Sequence, residues 1–372
     1  MSSDSASIVF AARWGSLVLT AIVLLMMAYI LGLRALLLLR ERRYGKLAAR
    51  WTPIFLDTGT SSSALLPGVR AAERFLFLIL WNKLREQHEQ DAGVCRSMER
   101  VAAAARIDRL ARRLLRRRSV RKKLLAIVTL GQLRDRHEWR RLCRIARSAH
   151  PLLSLAASQA IARIDPAEAT GTVVSLIVGH ADWPAAKVAT LLGELGPDRI
   201  SEPLARAVLQ APEPHRARLI PLLALCHYSS ALLAVRRMLR EPHPDEVIAP
   251  CLQVIGKFAD HQDLPLLYRS LTHPRWHVRA TAASCVGRMG RRTDQEKLTP
   301  LLTDRQWWVR YRAAQAIVGL TPQDAQRLRD IRNALSDRYA RDILTQAIAE
   351  ARPARSGTDR PPTDRMRIGG CR

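Results

Sequence analysis

From Val120 onward the chain repeats a helical pattern about every 31 residues. Eight anchor positions mark the repeat, and the intervals between them are 32, 32, 31, 31, 32, 31 and 30 residues. A period of this length predicts a solenoid, in which each unit is a helical hairpin that buries its apolar face only by stacking on its neighbours. Stacked units present long surfaces, so the pattern favours binding over catalysis. The anchors are Val120, Leu152, Pro184, His215, Glu246, Val278, Val309 and Tyr339.

The sixth unit shows the expected internal order of one repeat. Residues 278–289 are predicted as its first helix, residues 290–294 as the turn and residues 295–302 as its second helix. Aromatic residues make up 5% of the chain against 48% hydrophobic residues, which favours small-residue packing between helices. We therefore expect an all-α fold with an α/α superhelix of about eight helical hairpins over residues 119–351.

Nineteen uncharged residues, Gly15 to Leu33, precede the repeats. About 20 apolar residues, rising 1.5 Å each, cross a hydrocarbon core of roughly 30 Å, so a transmembrane helix is predicted over residues 15–39. A cleaved signal peptide is the alternative, but no small-residue cleavage site follows the stretch. Many more basic residues follow it than precede it, where only Arg13 stands, which places residues 1–14 outside and the solenoid in the cytoplasm of a single-pass inner-membrane protein.

The net charge of +27 is concentrated in the membrane-proximal part of the chain, with a smaller contribution from the tail beyond Arg352. Residues 96–147 hold 18 basic and 4 acidic residues, whereas residues 148–351 hold 25 and 20. Within the basic segment, residues 101–117 separate into an apolar face and an arginine face, which predicts one basic amphipathic helix in a helical N-terminal cap spanning residues 70–118. The candidate residues for binding an anionic surface are Arg106, Arg109, Arg112, Arg113, Arg116 and Arg117.

Three interpretations of this arginine face stay open. As a terminal cap, the helix would pack its apolar face on the first repeat and leave its charged face to solvent. The same arginines suit anionic lipid headgroups, at about 1 kcal/mol per basic residue near a membrane. Nucleic acid is the third candidate partner, because clustered Arg and Lys bind phosphates without sequence preference, although no recognised nucleic-acid-binding motif is present.

Three shorter segments complete the expected organisation. Residues 40–69 are predicted as a juxtamembrane basic segment that ends in a flexible linker with Thr58–Ser63. Residues 75–81 are apolar all round and are expected either to pack against the first hairpin or to insert shallowly at a membrane surface. Residues 352–372 form a polar, Pro- and Gly-rich basic tail that is predicted to be disordered.

Two successive repeats share the pairs Val278-Arg279 and Val309-Arg310 and the pairs Ala282-Ala283 and Ala313-Ala314, and Asp304 precedes the second copy. Repeats with these residues resemble HEAT repeats, specifically the short bacterial kind that also occurs in phycobilin lyase-like proteins. The resemblance covers about residues 118–350 and implies a right-handed superhelix that serves as a scaffold. In such arrays the Arg after Val commonly pairs with a nearby Asp, which implies a pair between Asp304 and Arg310.

Two enzymatic relatives of such repeats are weighed and disfavoured. Deoxyhypusine hydroxylase-like HEAT proteins hold two irons with four His-Glu pairs, whereas this chain has only His88-Glu89 and His137-Glu138. Phycobilin lyase-like activity has no specific residue to support it, and GxSxG, P-loop, GxGxxG and HExxH motifs are absent. We predict no catalytic residue, metal or cofactor, and small buried apolar roles for four cysteines. These are Cys143, Cys226, Cys251 and Cys285.

Tryptophan and arginine cluster at the links between repeats. They can pack between adjacent hairpins, but Trp and Arg are also enriched at the hot spots of protein interfaces. The chain is thus predicted to be a membrane-anchored scaffold for a protein complex, of the kind found in envelope or polysaccharide-export systems; a membrane-tethered nucleic-acid-binding solenoid and a HEAT-like oxidoreductase or lyase are the alternatives. The candidate partner-binding residues are Trp183, Arg275, Trp276, Arg305, Trp307, Trp308 and Arg312.

Overall fold

The computed structural model describes residues 3–57, 67–321 and 324–351, apart from the side chains of residues 3–21, 23, 36 and 40. Every regular element in these ranges is a helix, and the chain divides into two compact units, Met1–Asp165 and Pro166–Arg372. The all-α helical repeat predicted from the sequence is therefore confirmed. The predicted linker and the predicted disordered tail lie outside the described residues.

The first unit begins with one long helix, which is followed by shorter helices and the first repeats. Helices α2, α3 and α4 occupy the segment predicted as the N-terminal cap, and α4 packs on α5, the first helix of the first repeat. The elements are α1 (Ser3–Leu56), α2 (Arg74–Gln87), α3 (Ala92–Ala104), α4 (Ile107–Leu115), α5 (Val120–Gln132), a 3-10 turn (Arg136–Glu138), α6 (Trp139–Ala146) and α7 (Pro151–Ile164).

The transmembrane helix predicted over residues 15–39 is wrong. Among the described residues, no helix combines the length and the apolar character that crossing a bilayer requires. The uncharged stretch is one part of α1, which continues as a single helix through Arg34 and the basic residues that follow. The inner-membrane location, the single-pass topology and the outward N-terminus were inferred from that helix and are corrected with it.

The last turns of α1 help to form an aromatic core in the first unit. Trp51 and Phe55 of α1 meet Phe77 of α2, with ring centroids 4.7 Å and 5.6 Å from the Phe77 ring. All three side chains are buried. On the next turn of α2, Asn82 donates a hydrogen bond of 2.9 Å to Thr129 Oγ1 of α5. The apolar segment at residues 75–81 thus packs inside the unit, as one of its two interpretations expected.

The basic helix predicted over residues 101–117 is two helices in the structure. Helix α3 ends at Ala104, Arg106 adopts a left-handed backbone conformation with φ 51° and ψ 46°, and α4 begins at Ile107. Ala104, expected on the apolar face, is exposed at the break. The remaining apolar face survives because both helices bury the same side, and Val101, Ile107, Ala111 and Leu115 are buried there.

The second unit continues the helical pairs. Its elements are α8 (Pro166–Gly179), α9 (Ala185–Leu195), α10 (Pro197–Gln210), α11 (Glu213–Leu219), a 3-10 helix (Ile220–Leu225), α12 (Tyr228–Arg240), α13 (Asp245–Phe258), a 3-10 turn (His261–Asp263), α14 (Leu264–Ser270), α15 (Trp276–Met289), a 3-10 turn (Arg292–Asp294), α16 (Gln295–Leu298), a 3-10 helix (Thr299–Thr303), α17 (Trp307–Leu320), α18 (Ala325–Ala334) and α19 (Arg338–Ala351).

The observed helices follow the predicted period. The odd-numbered helices from α5 to α19 each begin within two residues of one of the eight anchors. The fourth unit departs most from a regular hairpin, because α11 gives way after seven residues to a 3-10 helix that carries Pro221. Within the described residues, the eighth unit contributes only α19 rather than a complete hairpin.

Neighbouring first helices approach closely where one of them carries glycine. A Cβ added to Gly287 of α15 would lie 2.6 Å from Cα of Ala316 in α17. In the first unit, a Cβ on Gly131 of α5 would lie 2.8 Å from Cα of Ala160 in α7. Both distances are shorter than a van der Waals contact, so these helix pairs require the missing side chain. The small-residue packing that the composition favoured is present in both units.

Candidate protein-binding surfaces

A groove lies over the first helices of the sixth and seventh repeats in the second unit. Its volume is about 460 Å³, and its floor is one face of α15 that carries small side chains. We name it the aromatic groove and define it by Trp276, Thr281, Ser284, Arg288, Trp308 and Arg312.

Three tryptophans at the N-terminal ends of these helices are exposed to an unusual degree. Trp276 is 41% exposed, Trp307 43% and Trp308 50%. Trp307 stacks on Tyr311 with ring centroids 5.0 Å apart and meets Trp308 edge-on at 4.9 Å. Because neighbouring rings support it, Trp308 is held in place while half of its surface stays in water. Large exposed apolar side chains in a cluster are typical of interaction sites.

An ion pair between α15 and the link that follows the sixth repeat holds the start of α17 in position. Arg279 of α15 donates to both carboxylate oxygens of Asp304, at 2.7 Å and 2.8 Å, and also to the carbonyl of His273 at 2.8 Å. Asp304 in turn accepts from the backbone N–H of Gln306, the residue before α17. Burial raises the pKa of Asp304, but the Arg279 hydrogen bonds and the Gln306 N–H outweigh it, so the pKa lies below the ordinary 3.8.

Asp304 pairs with Arg279 rather than with Arg310, the partner that the family resemblance implied. Arg310 attracts Asp304 only at longer range, and its guanidinium lies 5.8 Å from the ring centroid of Tyr339. The general expectation that the Arg after Val pairs with Asp holds, because Arg279 follows Val278. The carboxylate belongs to the link that precedes the next repeat, 25 residues away along the chain.

The structure separates the seven predicted partner-binding residues. Trp276, Trp308 and Arg312 line the aromatic groove, and Trp307 supports it. Trp183 is buried and stacks on His180, with ring centroids 5.0 Å apart. Arg275 donates to Asp245 at 2.9 Å, and Arg305 is exposed in the link before α17.

Sequence reasoning missed one cation of the groove, Arg288 near the end of α15. It follows Thr281 and Ser284 at intervals of seven and four residues, which is the spacing of one helix face. Projecting the exposed positions of that helix from Trp276 onward would have found it.

A larger cleft lies in the first unit, between the junction of α3 with α4 and the turn that follows α5. Its volume is about 970 Å³. We name it the basic cleft and define it by its arginines, Arg85, Arg106, Arg109, Arg112, Arg134 and Arg136. Three of the six residues predicted to bind an anionic surface are among them; Arg113, Arg116 and Arg117 are exposed on the same segment but do not line the cleft.

Arg112 is engaged within the protein. Its Nε donates to Asp135 Oδ2 at 2.8 Å, and a second nitrogen lies 3.4 Å from Asp108. Asp135 also accepts from the backbone N–H of His137 at 3.0 Å. Burial raises the pKa of Asp135, but the hydrogen bonds from Arg112 and His137 lower it by more. The pKa of Asp135 therefore lies below its ordinary value. This charged pair ties α4 to the turn after α5.

Residues considered for other chemistry lie in structural positions. In the described part of the chain, no three His, Cys, Asp or Glu side chains are grouped to hold a metal. Cys226, Cys251 and Cys285 are buried, and Cys143 is half-buried. Burial raises the pKa of Cys226 to about 11 and that of Cys251 to about 12.

Comparison with known families identifies the repeats of the second unit. The family model described as HEAT repeats matches residues 232–318 and 269–349. The matched residues are similar to HEAT repeats, and the helical pairs of this region support a HEAT-repeat solenoid. HEAT repeats generally mediate protein–protein interaction and are typically non-enzymatic. The match supports neither the phycobilin lyase-like subfamily nor membrane anchoring. No curated protein matches the chain.

Proposed function

We propose that the chain is a non-catalytic HEAT-repeat scaffold and that a protein partner docks in the aromatic groove. The observation that carries the proposal is the exposure of Trp276 and Trp308 beside the small-residue floor of α15, inside the region that matches HEAT repeats.

Burial of these tryptophans would supply binding energy. An aromatic side chain buries 150–250 Å² when fully covered, at about 25 cal/mol per Å² of apolar surface. Covering the exposed half of Trp308 would therefore contribute about 2 kcal/mol, which is the size expected of an interface hot spot. Since Trp307 and Tyr311 already hold this ring, little rotamer entropy would be lost on binding.

The groove also indicates what kind of segment would fit. The side chains of Thr281 and Ser284 are small and leave space between Trp276 and the side chains of α17. An extended or helical segment of the partner can therefore lie along α15. Arg288 and Arg312 are exposed in the groove and would pair with carboxylates of that segment. We therefore expect an apolar anchor flanked by acidic residues. The envelope or polysaccharide-export setting depended on the corrected membrane anchor and is not part of the proposal.

Photo-crosslinking within cells that make the full chain tests the proposal. A photoreactive amino acid is placed at Thr281 in the groove and, as a control, at Leu233, which is 73% exposed on α12. The position-281 chain should trap one discrete protein that the position-233 chain does not trap. Adding Trp308→Ala should reduce that product at least about tenfold, as expected for a hot-spot tryptophan.

Two results would contradict the proposal. Identical crosslinking patterns at positions 281 and 233 would show that the groove selects nothing. Crosslinking to nucleic acid rather than to protein would favour the alternative that the solenoid binds nucleic acid.

A further inference from the structure

The geometry of the first unit points to a second binding site: we infer that the basic cleft binds an acidic segment of a protein partner. The cleft lies outside the region that matches HEAT repeats, and its argument does not depend on the aromatic groove.

Half of the arginines in the cleft are neutralised inside the protein. Arg85 lies 2.9 Å from Glu99, Arg112 pairs with Asp135, and Arg136 lies 2.5 Å from Asp165. These pairs fix the walls of the cleft. Asp108 also lies 3.4 Å from Arg112, so four carboxylates offset four of the six arginine charges and the cleft keeps a net positive charge.

The other three arginines have no such partner. Among the described residues, no carboxylate oxygen lies within 4.0 Å of the guanidinium of Arg106, Arg109 or Arg134. All three are exposed at the cleft. Three guanidinium groups, each able to hold a carboxylate with two parallel hydrogen bonds, are thus free to receive a ligand.

Two of these free arginines also occupy an unfavourable backbone conformation. Of the described non-glycine residues, only Arg106, Arg134 and Ala259 have positive φ, at 51°, 51° and 55°. The left-handed region is unfavourable for a non-glycine residue, and Gly or Asn is usual at such helix ends. Arg at both positions in the cleft is therefore unexpected for a purely structural cap. Strain of this kind is typical of ligand sites.

The size and lining of the cleft select the class of ligand. At about 970 Å³ it is much larger than one phosphate or carboxylate ion, so an extended ligand is required to reach all three free arginines. Proteins that hold single-stranded nucleic acid stack its bases on aromatic side chains, and no Phe, Tyr or Trp lines the cleft. A peptide with several Asp or Glu residues needs only the guanidinium groups. The excess of 14 positive charges over residues 96–147 would attract it.

Fluorescence anisotropy on the full chain tests the inference. The binding probe is a labelled twelve-residue peptide of alternating Glu and Gly, and its Gln counterpart is the uncharged reference. The chain should bind the Glu peptide and not the Gln peptide. The double variant Arg106→Gly/Arg134→Gly should weaken Glu-peptide binding at least about tenfold, since two charge-assisted contacts are lost. Its unfolding midpoint should stay close to that of the unmodified chain, because glycine relieves the left-handed backbone.

Two matched variants separate the cleft from simpler explanations. Arg140→Ala/Arg144→Ala removes the same number of charges from exposed positions on α6 and should retain most of the binding. Ala259→Gly relieves the same backbone conformation in the second unit and should leave peptide binding unchanged.

Equal losses in the two double variants would show that net charge, not the cleft, attracts the peptide, and would overturn the inference. Absence of Glu-peptide binding would overturn it as well. Tighter binding of a labelled single-stranded or duplex oligonucleotide, lost in Arg106→Gly/Arg134→Gly, would assign the cleft to nucleic acid instead.

Discussion

The basic cleft and the aromatic groove are both lined by helices but differ in the side chains that dominate them. The cleft presents free guanidinium groups and no Phe, Tyr or Trp in its lining. The groove presents half-exposed Trp276 and Trp308 over a floor of small side chains. Close glycine contacts between neighbouring helices occur in both units, at Gly131 and at Gly287. The helical framework therefore does not decide what a surface binds; the residues at the helix ends and exposed faces decide it.

This difference follows the distribution of charge along the chain. Residues 148–351, which include the groove, hold 25 basic and 20 acidic residues, and Arg279 there is paired with Asp304. Around the cleft, basic residues outnumber acidic ones, so arginines remain after every available pair has formed. Charge acts over a Debye length of about 8 Å at physiological ionic strength, whereas apolar burial acts only on contact. We expect ligand binding at the two surfaces to depend differently on salt concentration. We expect both units, in contrast, to lose stability when the close packing of neighbouring helices is disrupted.

The largest effect should come from breaking the framework itself. Gly287→Ala places a Cβ 2.6 Å from Cα of Ala316, and backbone cannot yield as a flexible side chain would. We expect a loss of about 3 kcal/mol in the free energy of unfolding, measured by urea denaturation, with a similar loss for Gly131→Ala in the first unit.

Gly193→Ala is the matched control for this substitution. It lies inside α9, and nothing lies within 4 Å of its added Cβ. Alanine there should stabilise the helix by about 0.5–1 kcal/mol. If Gly287→Ala were as harmless as Gly193→Ala, the close helix approach would not be needed and the two regions would not share one packing principle.

The next effect concerns the ion pair that positions Trp308. Asp304→Asn leaves Arg279 half-buried without a carboxylate, and we expect a loss of about 2 kcal/mol in unfolding free energy at pH 7. Because the folded pKa of Asp304 is lowered, its contribution is fully present above 3.8, the unfolded value, and is lost as the pH falls through the lower folded pKa.

The stability difference between the unmodified chain and Asp304→Asn should therefore be constant above about pH 5 and shrink below about pH 4. Asp135→Asn should behave in the same way in the first unit, since the pKa of Asp135 is also lowered. The exposed Asp330→Asn serves as the control and should cost little at any pH. A difference that grew on acidification would contradict the assignment of Asp304 as a charged partner of Arg279.

The sequence predicted the positions of the helices well because the repeat pattern depends on residues that are close together in the chain. Anchors 30 to 32 residues apart mark where the odd-numbered helices begin. The break at Arg106 was missed because the apolar face continues on both sides of it, so periodicity alone could not reveal a left-handed residue. The basic cleft was also missed as a site. Arg106 and Arg134 lie 28 positions apart in the chain and line one cleft only in the folded structure. The transmembrane prediction rested on the uncharged stretch Gly15–Leu33, and no helix among the described residues is long and apolar enough to cross a membrane.

The smallest expected effect, and the one that separates the two surfaces most directly, is their response to salt. Three free guanidinium groups attract the Glu peptide through charges that mobile ions screen, so its affinity for the full chain should fall about tenfold between roughly 0.05 and 0.2 M salt. Docking on Trp276 and Trp308 depends on apolar burial, which salt of this concentration barely changes. Crosslinking yield from position 281, measured in a lysate at the same two salt concentrations, should therefore change less than about twofold. Equal salt sensitivity at both sites would mean that Arg288 and Arg312, rather than the tryptophans, dominate the groove, and the contrast between the two surfaces would disappear.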